Sequence, residues 1–161
     1  VGIVKAYTTR VGNGPFPTEL LDAEGEKLRS IGAEFGATTG RPRRCGWMDI
    51  PALKYSIMLN GVTELMMMKA DVMNSFKEIK IATHYQYDGQ TSMEVPFDET
   101  ITQVKPVYKT LQGWNTDLDD SGKYDLLPKE LQNYVQFIEE QVGVPVKIIS
   151  TGPDRTQTIV R

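Results

Sequence analysis

Cys45 is the one cysteine and His84 the one histidine in this chain of 161 residues. A lone cysteine excludes an internal disulfide. A lone histidine with no second candidate ligand near it in sequence supports neither a metal centre nor a Ser/His or Cys/His nucleophile. His84 reads as a surface residue, and Cys45, although beside Arg43 and Arg44, lacks a base and reads as a bystander. Apolar runs of membrane-spanning length and a secretory leader are also missing. So is any excess of positive charge: 18 Lys and Arg against 21 Asp and Glu give a net charge of −3 and a pI near 5.2. No global field draws in nucleic acid, and any anion site must be local. The sequence contains no Gly-x-x-x-x-Gly-Lys-Ser/Thr loop, no carboxylates paired in a metal-ligand pattern, and no calcium-loop spacing in the acidic run Asp117-Leu118-Asp119-Asp120. A reducing, cytoplasmic setting without nucleic-acid or membrane partners is expected.

What is present is concentrated in one stretch, Phe35-Gly36-Ala37-Thr38-Thr39-Gly40-Arg41-Pro42-Arg43-Arg44-Cys45-Gly46-Trp47. Glycine lets backbone N–H groups turn toward a ligand, threonine adds hydroxyl donors, and arginine offers a planar fork matched to carboxylate or phosphate. An arginine cluster is often no more than a solvated basic loop. Here small hydroxyl residues, glycine and arginines follow one another in an otherwise acidic chain, and that order describes an anion clamp.

The rest of the chain, 40% hydrophobic, suffices for a core and reads as one domain over residues 1–161. Residues 1–7 read as a strand and residues 8–17 as a turn-forming loop with two glycines and two prolines. Thr18 is the expected N-cap of a helix through Leu20, Leu21, Leu28 and Ile31, ended by Gly32. Asp49 and Pro51 open a second helix that Gly61 stops. Leu65-Met66-Met67-Met68 has the form of a buried strand, its methionines core filling. Ile79 to Tyr87 alternates as a half-buried strand. Asp88-Gly89 then turns the chain so that Thr91, Met93 and Val95 pair back, with Pro96 ending the ladder. Residues 97–127 read as irregular, solvated connection. Pro128 opens a last helix with the stripe Leu131, Tyr134, Val135, Ile138 and Val142, Gly143 closes it, and residues 144–149 form a final strand. The class expected is α/β of mixed α+β character, with a mixed sheet, a β-hairpin and about three flanking helices.

Two further loops leave apolar strands, where open α/β sheets hold ligands. In Lys69-Ala70-Asp71 an aspartate can accept two hydrogen bonds from the guanine edge, and a lysine stem can lie along a purine face. Alone, Lys-x-Asp is as easily a surface ion pair. Ser150-Thr151-Gly152 is an ordinary turn whose small residues let a flat base approach.

Four segments together resemble the adenylosuccinate synthetase family: Val4-Lys5-Ala6-Tyr7, Thr9-Arg10-Val11-Gly12-Asn13-Gly14-Pro15-Phe16-Pro17-Thr18-Glu19, Glu34 through the arginine stretch to Trp47, and Ser150-Thr151-Gly152-Pro153-Asp154-Arg155. The resemblance extends over the whole chain and corresponds to the C-terminal part of that family's protein and fold. It implies part of a GTP-dependent ligase of purine biosynthesis. Such a ligase moves the γ-phosphoryl of GTP to O6 of IMP and lets the amine of L-aspartate displace phosphate to give adenylosuccinate. By the same resemblance Ala37, Thr38, Thr39, Gly40, Arg41, Pro42 and Arg43 form the aspartate loop. Arg41 and Val11 also serve IMP. Arg43, Lys69, Ala70, Asp71, Ser150, Thr151 and Gly152 serve GTP. No catalytic or metal-binding residue is carried over, since the phosphate loop, the Mg²⁺ ligands and the catalytic aspartate and histidine belong to N-terminal segments. The whole enzyme would use IMP, L-aspartate, GTP and Mg²⁺ and work as a homodimer. Met68 and Ala70 stand where threonine and leucine are common, and Pro42 interrupts the arginine run. The competing reading is a non-catalytic anion- or nucleotide-binding module built on residues 41–44. The acidic net charge and the lack of aromatics interleaved with basic residues weigh against its RNA-binding form.

Overall fold

The computed structural model describes residues 1–95, 103–118 and 122–161. In chain order the strands are β1 (Gly2–Lys5), β2 (Thr8–Arg10), β3 (Arg44–Gly46), β4 (Met48–Asp49), β5 (Leu65–Met68), β6 (Glu78–Tyr87), β7 (Gln90–Ser92), β8 (Lys105–Gln112), β9 (Val146–Ser150) and β10 (Thr158–Val160). The α-helices are α1 (Ala23–Ile31), α2 (Ile50–Asn60) and α3 (Lys129–Val142). These form two compact units, the first of residues 1–6, 53–79 and 110–161, the second of residues 7–52 and 80–109.

The first unit is built on a four-stranded sheet in the order β1-β5-β9-β10. β1, β5 and β9 run parallel, and β10 returns antiparallel to β9, so the sheet is mixed. Leu65 and Met67 of β5 are buried, as a short apolar run between two strands requires. All five residues of the α3 stripe are buried, each such side chain contributing roughly 1.5–3 kcal/mol. Tyr134 Oη donates to the Ala6 carbonyl at 2.6 Å, tying α3 to the end of β1. Its ring meets Trp114 edge-on, and Trp114 Nε1 donates to Asn74 Oδ1. Gly143, at φ +71°, closes α3 as expected.

The second unit holds the β2–β3 ribbon and a sheet in which β4 runs parallel to β6, with β7 and β8 also paired to β6. Asp88 and Gly89, both at positive φ, turn β6 into β7. The β7 ladder stops at Ser92, short of Met93 and Val95, and Pro96 lies outside the described residues. Asp49 caps α2 by accepting from the Ala52 N–H, and it also accepts from Tyr85 Oη at 2.7 and 2.8 Å. Burial raises its pKa against those hydrogen bonds.

Several expectations are corrected. Residues 8–10 are not loop: they pair antiparallel with residues 44–46, because Thr8-Thr9 can form a ladder with the far end of the arginine stretch. Thr18 does not cap α1. It is fully buried, and Leu21, three residues on, is 89% exposed, while Asp22 accepts from the Glu24 and Gly25 N–H groups and starts the helix at Ala23. Replacing Asp22 with alanine is expected to cost about 1 kcal/mol in thermal or urea unfolding, and a cost near zero would remove its capping role. Residues 97–127 contain the eight-residue strand β8, whose alternation was masked by Pro106 and by polar residues on its exposed side. Residues 97–102 and 119–121, including Asp119 and Asp120, lie outside the described residues. β10 was also missed; it is three residues long with only Ile159 buried.

Candidate functional site

The clamp lies in the second unit as a closed loop. Phe35 and Pro42 form a bridge, Gly36 N–H donates to the Arg41 carbonyl, and Gly40 N–H donates to the Gly36 carbonyl. Gly40 turns the tip at φ +64°, a conformation that costs L side chains roughly 1–2 kcal/mol. The exposed tip carries Ala37, Thr38, Thr39, Gly40, Arg41 and Pro42 outward, with Arg41 N–H donating to Thr39 Oγ1.

Below the tip the loop is anchored by a buried carboxylate. Glu34, wholly buried, accepts from Tyr7 Oη at 2.6 Å and from Arg43 Nη1 at 2.8 Å. Arg29 Nε donates to the Arg43 carbonyl, so α1 supports the same turn. Arg44 is held separately: Nε and Nη2 form a fork on Glu19, and Nη1 donates to the carbonyls of Gly12 and Gly14. Its guanidinium lies 5.4 Å from the Phe16 ring centroid, and the Glu19 hydrogen bond raises its pKa. Arg44 thus fixes residues 12–16 against β3.

Between these two loops opens a cavity of about 200 Å³ lined by Arg10, Val11, Thr39, Arg41, Arg43 and Arg44, among others. The structure therefore brings Val11, 74% exposed, to the same cavity as Thr39, Arg41 and Arg43. Among the described residues nothing engages the Arg41 side chain, while Arg43 is committed in part to Glu34. With hydroxyl and guanidinium donors and no carboxylate on its wall, such a cavity suits a small anion.

The remaining sequence-identified residues gather in the first unit. Lys69, Ala70 and Asp71 leave the carboxyl end of β5, and Ser150, Thr151 and Gly152 leave the carboxyl end of its neighbour β9. Lys69 sits at φ +61°, a left-handed conformation uncommon for a residue with a side chain. It opens a 3-10 turn, Ala70–Met73, in which Ala70 is buried and Asp71 half-buried. Burial raises the Asp71 pKa, countered by backbone hydrogen bonds and by Lys69. Opposite, Ser150 Oγ donates to the Gly152 carbonyl, and Thr151 N–H donates to the Gln157 carbonyl. The Gln157 side chain rests on Gly152, in the space a Cβ would take. The parallel strands thus place a carboxylate and a small-residue turn side by side at one sheet end, the usual position of ligand crevices.

His84 is half-buried with Nδ1 3.1 Å from Thr83 Oγ1, and Cys45 is buried. The sequence reading gave no role to Glu34, Tyr7, Glu19, Arg10 or Gln157. A single acidic residue directly before a glycine- and arginine-rich loop was the available signal for Glu34; Tyr7 and Glu19 act through contacts 25 or more residues away, Arg10 acts from the opposite wall, and Gln157 folds back on the Gly152 turn from a few residues further on.

A family model described as adenylosuccinate synthetase matches residues 1–159. The adenylosuccinate synthetase of Cytophaga hutchinsonii is 55% identical over 161 residues, covering 99% of this chain and 37% of that protein. That of Flavobacterium psychrophilum is 52% identical over 160 residues, covering 99% of this chain and 38% of that protein. Among solved structures, fully ligated adenylosuccinate synthetase from Plasmodium falciparum matches with a TM-score of 0.93 at 37% identity, covering 99% of this chain and 39% of that one. The chain spans less than two-fifths of the length of these relatives.

Proposed function

The chain belongs to the adenylosuccinate synthetase family, and from that premise we propose that it forms part of a GTP-dependent ligase joining IMP and L-aspartate into adenylosuccinate. In this reading the γ-phosphoryl of GTP passes to O6 of IMP with GDP as leaving group. The aspartate amine then attacks C6, loses a proton and displaces phosphate. This chain binds and orients: Thr39, Arg41 and Arg43, on the loop of residues 37–43, hold the carboxylates of aspartate; Val11 packs on the IMP ribose, and Arg41 reaches IMP as well. Arg43 also faces GTP, and Lys69, Ala70, Asp71, Ser150, Thr151 and Gly152 hold its guanine. The assembly would be a cytoplasmic homodimer. Mg²⁺ would assist phosphoryl transfer in the whole enzyme. Among the described residues no three His, Cys, Asp or Glu side chains gather to hold a metal ion.

The observation that carries the aspartate site is the closed loop presenting Thr39 and Arg41, whose side chain nothing engages among the described residues, to one small cavity. Replacing Arg41 with glutamine in the intact ligase is expected to raise KM for L-aspartate by roughly 10- to 100-fold, the worth of a charge-assisted fork. Unchanged aspartate KM would sink the assignment. The 161-residue chain alone is expected to form no adenylosuccinate from IMP, aspartate and GTP, because the groups that transfer phosphate lie outside it. Product formation above background, followed by ultraviolet absorbance, would overturn that.

A further inference from the structure

A dicarboxylate is best held by two guanidinium forks, and the three arginines of the clamp do not leave two whole guanidinium groups uncommitted, since Arg43 can offer only the part that Glu34 does not hold. Arg44 gives its donors to Glu19 and to the Gly12 and Gly14 carbonyls, and Arg43 gives Nη1 to Glu34. Of the three, Arg41 alone keeps an uncommitted guanidinium among the described residues. A fourth arginine faces the same cavity from the opposite wall. Arg10, at the end of β2, is exposed, and among the described residues no hydrogen bond or ion pair engages it. Its guanidinium packs against Gly14, in space that a Cβ at that position would take.

We propose that Arg10 is a substrate-binding residue, supplying with Arg41 the second fork that takes one of the two carboxylates of L-aspartate. The proposal rests on reading this cavity as the aspartate site. Gly14 and Arg44 are its positioning residues: the missing Cβ lets the Arg10 guanidinium lie along the loop, and the Arg44 bonds to the Gly12 and Gly14 carbonyls hold that loop still. A phosphate would satisfy the same forks. The Thr39 hydroxyl on the same wall adds a donor suited to a short diacid.

Steady-state kinetics of the intact ligase, with each substrate varied in turn, test this. Arg10→Gln is expected to raise KM for L-aspartate by about tenfold or more, leaving kcat within about threefold and the KM values for IMP and GTP unmoved. Gly14→Ala, which displaces the guanidinium without removing its charge, is expected to raise the same KM by a smaller factor. Arg41→Gln separates the two readings. If it raises aspartate KM and Arg10→Gln does not, Arg10 is excluded while the cavity keeps its assignment; if neither does, the cavity reading fails as well. A rise confined to IMP assigns Arg10 to a phosphate and overturns the proposal. So does a lowered melting temperature with all three KM values rising together, which would mark a structural role.

Discussion

Replacing Asp71 with alanine in the intact protein is expected to erase the preference for guanine over adenine nucleotides proposed for this crevice, a loss of about 1–3 kcal/mol or roughly 5- to 150-fold in relative affinity. The expectation follows from donor geometry. Guanine offers its ring N1–H and exocyclic amine on one edge, and a carboxylate accepts from both; adenine presents no such pair. Asp71 is half-buried, so an unmatched base would leave it desolvated without compensation. Calorimetric titration of GDP against ADP gives the comparison, and a variant that still discriminates would exclude Asp71 as the reader. The same carboxylate sets a pH dependence. Its pKa is raised by burial, and only the ionised form accepts both hydrogen bonds. Guanine affinity is therefore expected to fall on acidification, at a pH above that at which an ordinary aspartate takes up its proton. The loss should be absent in Asp71→Ala.

The neighbouring Lys69 adds a constraint of another kind. Its φ of +61° directs the chain from β5 into the 3-10 turn that carries Asp71, a backbone choice that glycine or asparagine would make with less strain. A lysine there is consistent with its side chain lying over the base proposed for this crevice.

Elements whose stabilisation is local or periodic were legible in the sequence. The α3 stripe, the β5 run, the β6 alternation with its Asp-Gly turn, and the Asp49 cap all follow from one face seeking a core or one side chain seeking its own backbone. Elements defined by partners far along the chain were not. β2 looked like a loop because its ladder partner is the tail of the arginine stretch, and β8 was hidden by a proline in a polar strand. Thr18 and Asp22 are both good capping residues, and only the burial of Thr18 decides between them. The clamp was legible as anion chemistry because its charge contrasts with the chain around it. Which arginines are free was not: Arg44 is tied to Glu19 and Arg43 to Glu34, and Arg10, outside the run, faces the cavity with no ion pair among the described residues.

That division makes Arg43 the position where stability and binding can be separated. Arg43→Ala is expected to lower unfolding free energy by about 3 kcal/mol, because the wholly buried Glu34 carboxylate loses its bonded cation. Glu34→Gln should cost only about 1 kcal/mol: the amide still accepts from Tyr7, and Arg43, one-third exposed, can turn to water. The double variant is therefore expected to be more stable than Arg43→Ala alone, a rescue by a second substitution that removes the buried charge left without its arginine. Urea unfolding of the three variants measures this, and a double variant no more stable than Arg43→Ala would show that Glu34 is not the group left in distress. Substrate binding should not follow the rescue. The carboxylate and GTP contacts proposed for Arg43 require the guanidinium itself, so KM for aspartate or GTP should stay raised in the double variant. A KM that returned with stability would reduce Arg43 to an anchor for the loop, leaving the forks to Arg41 and Arg10.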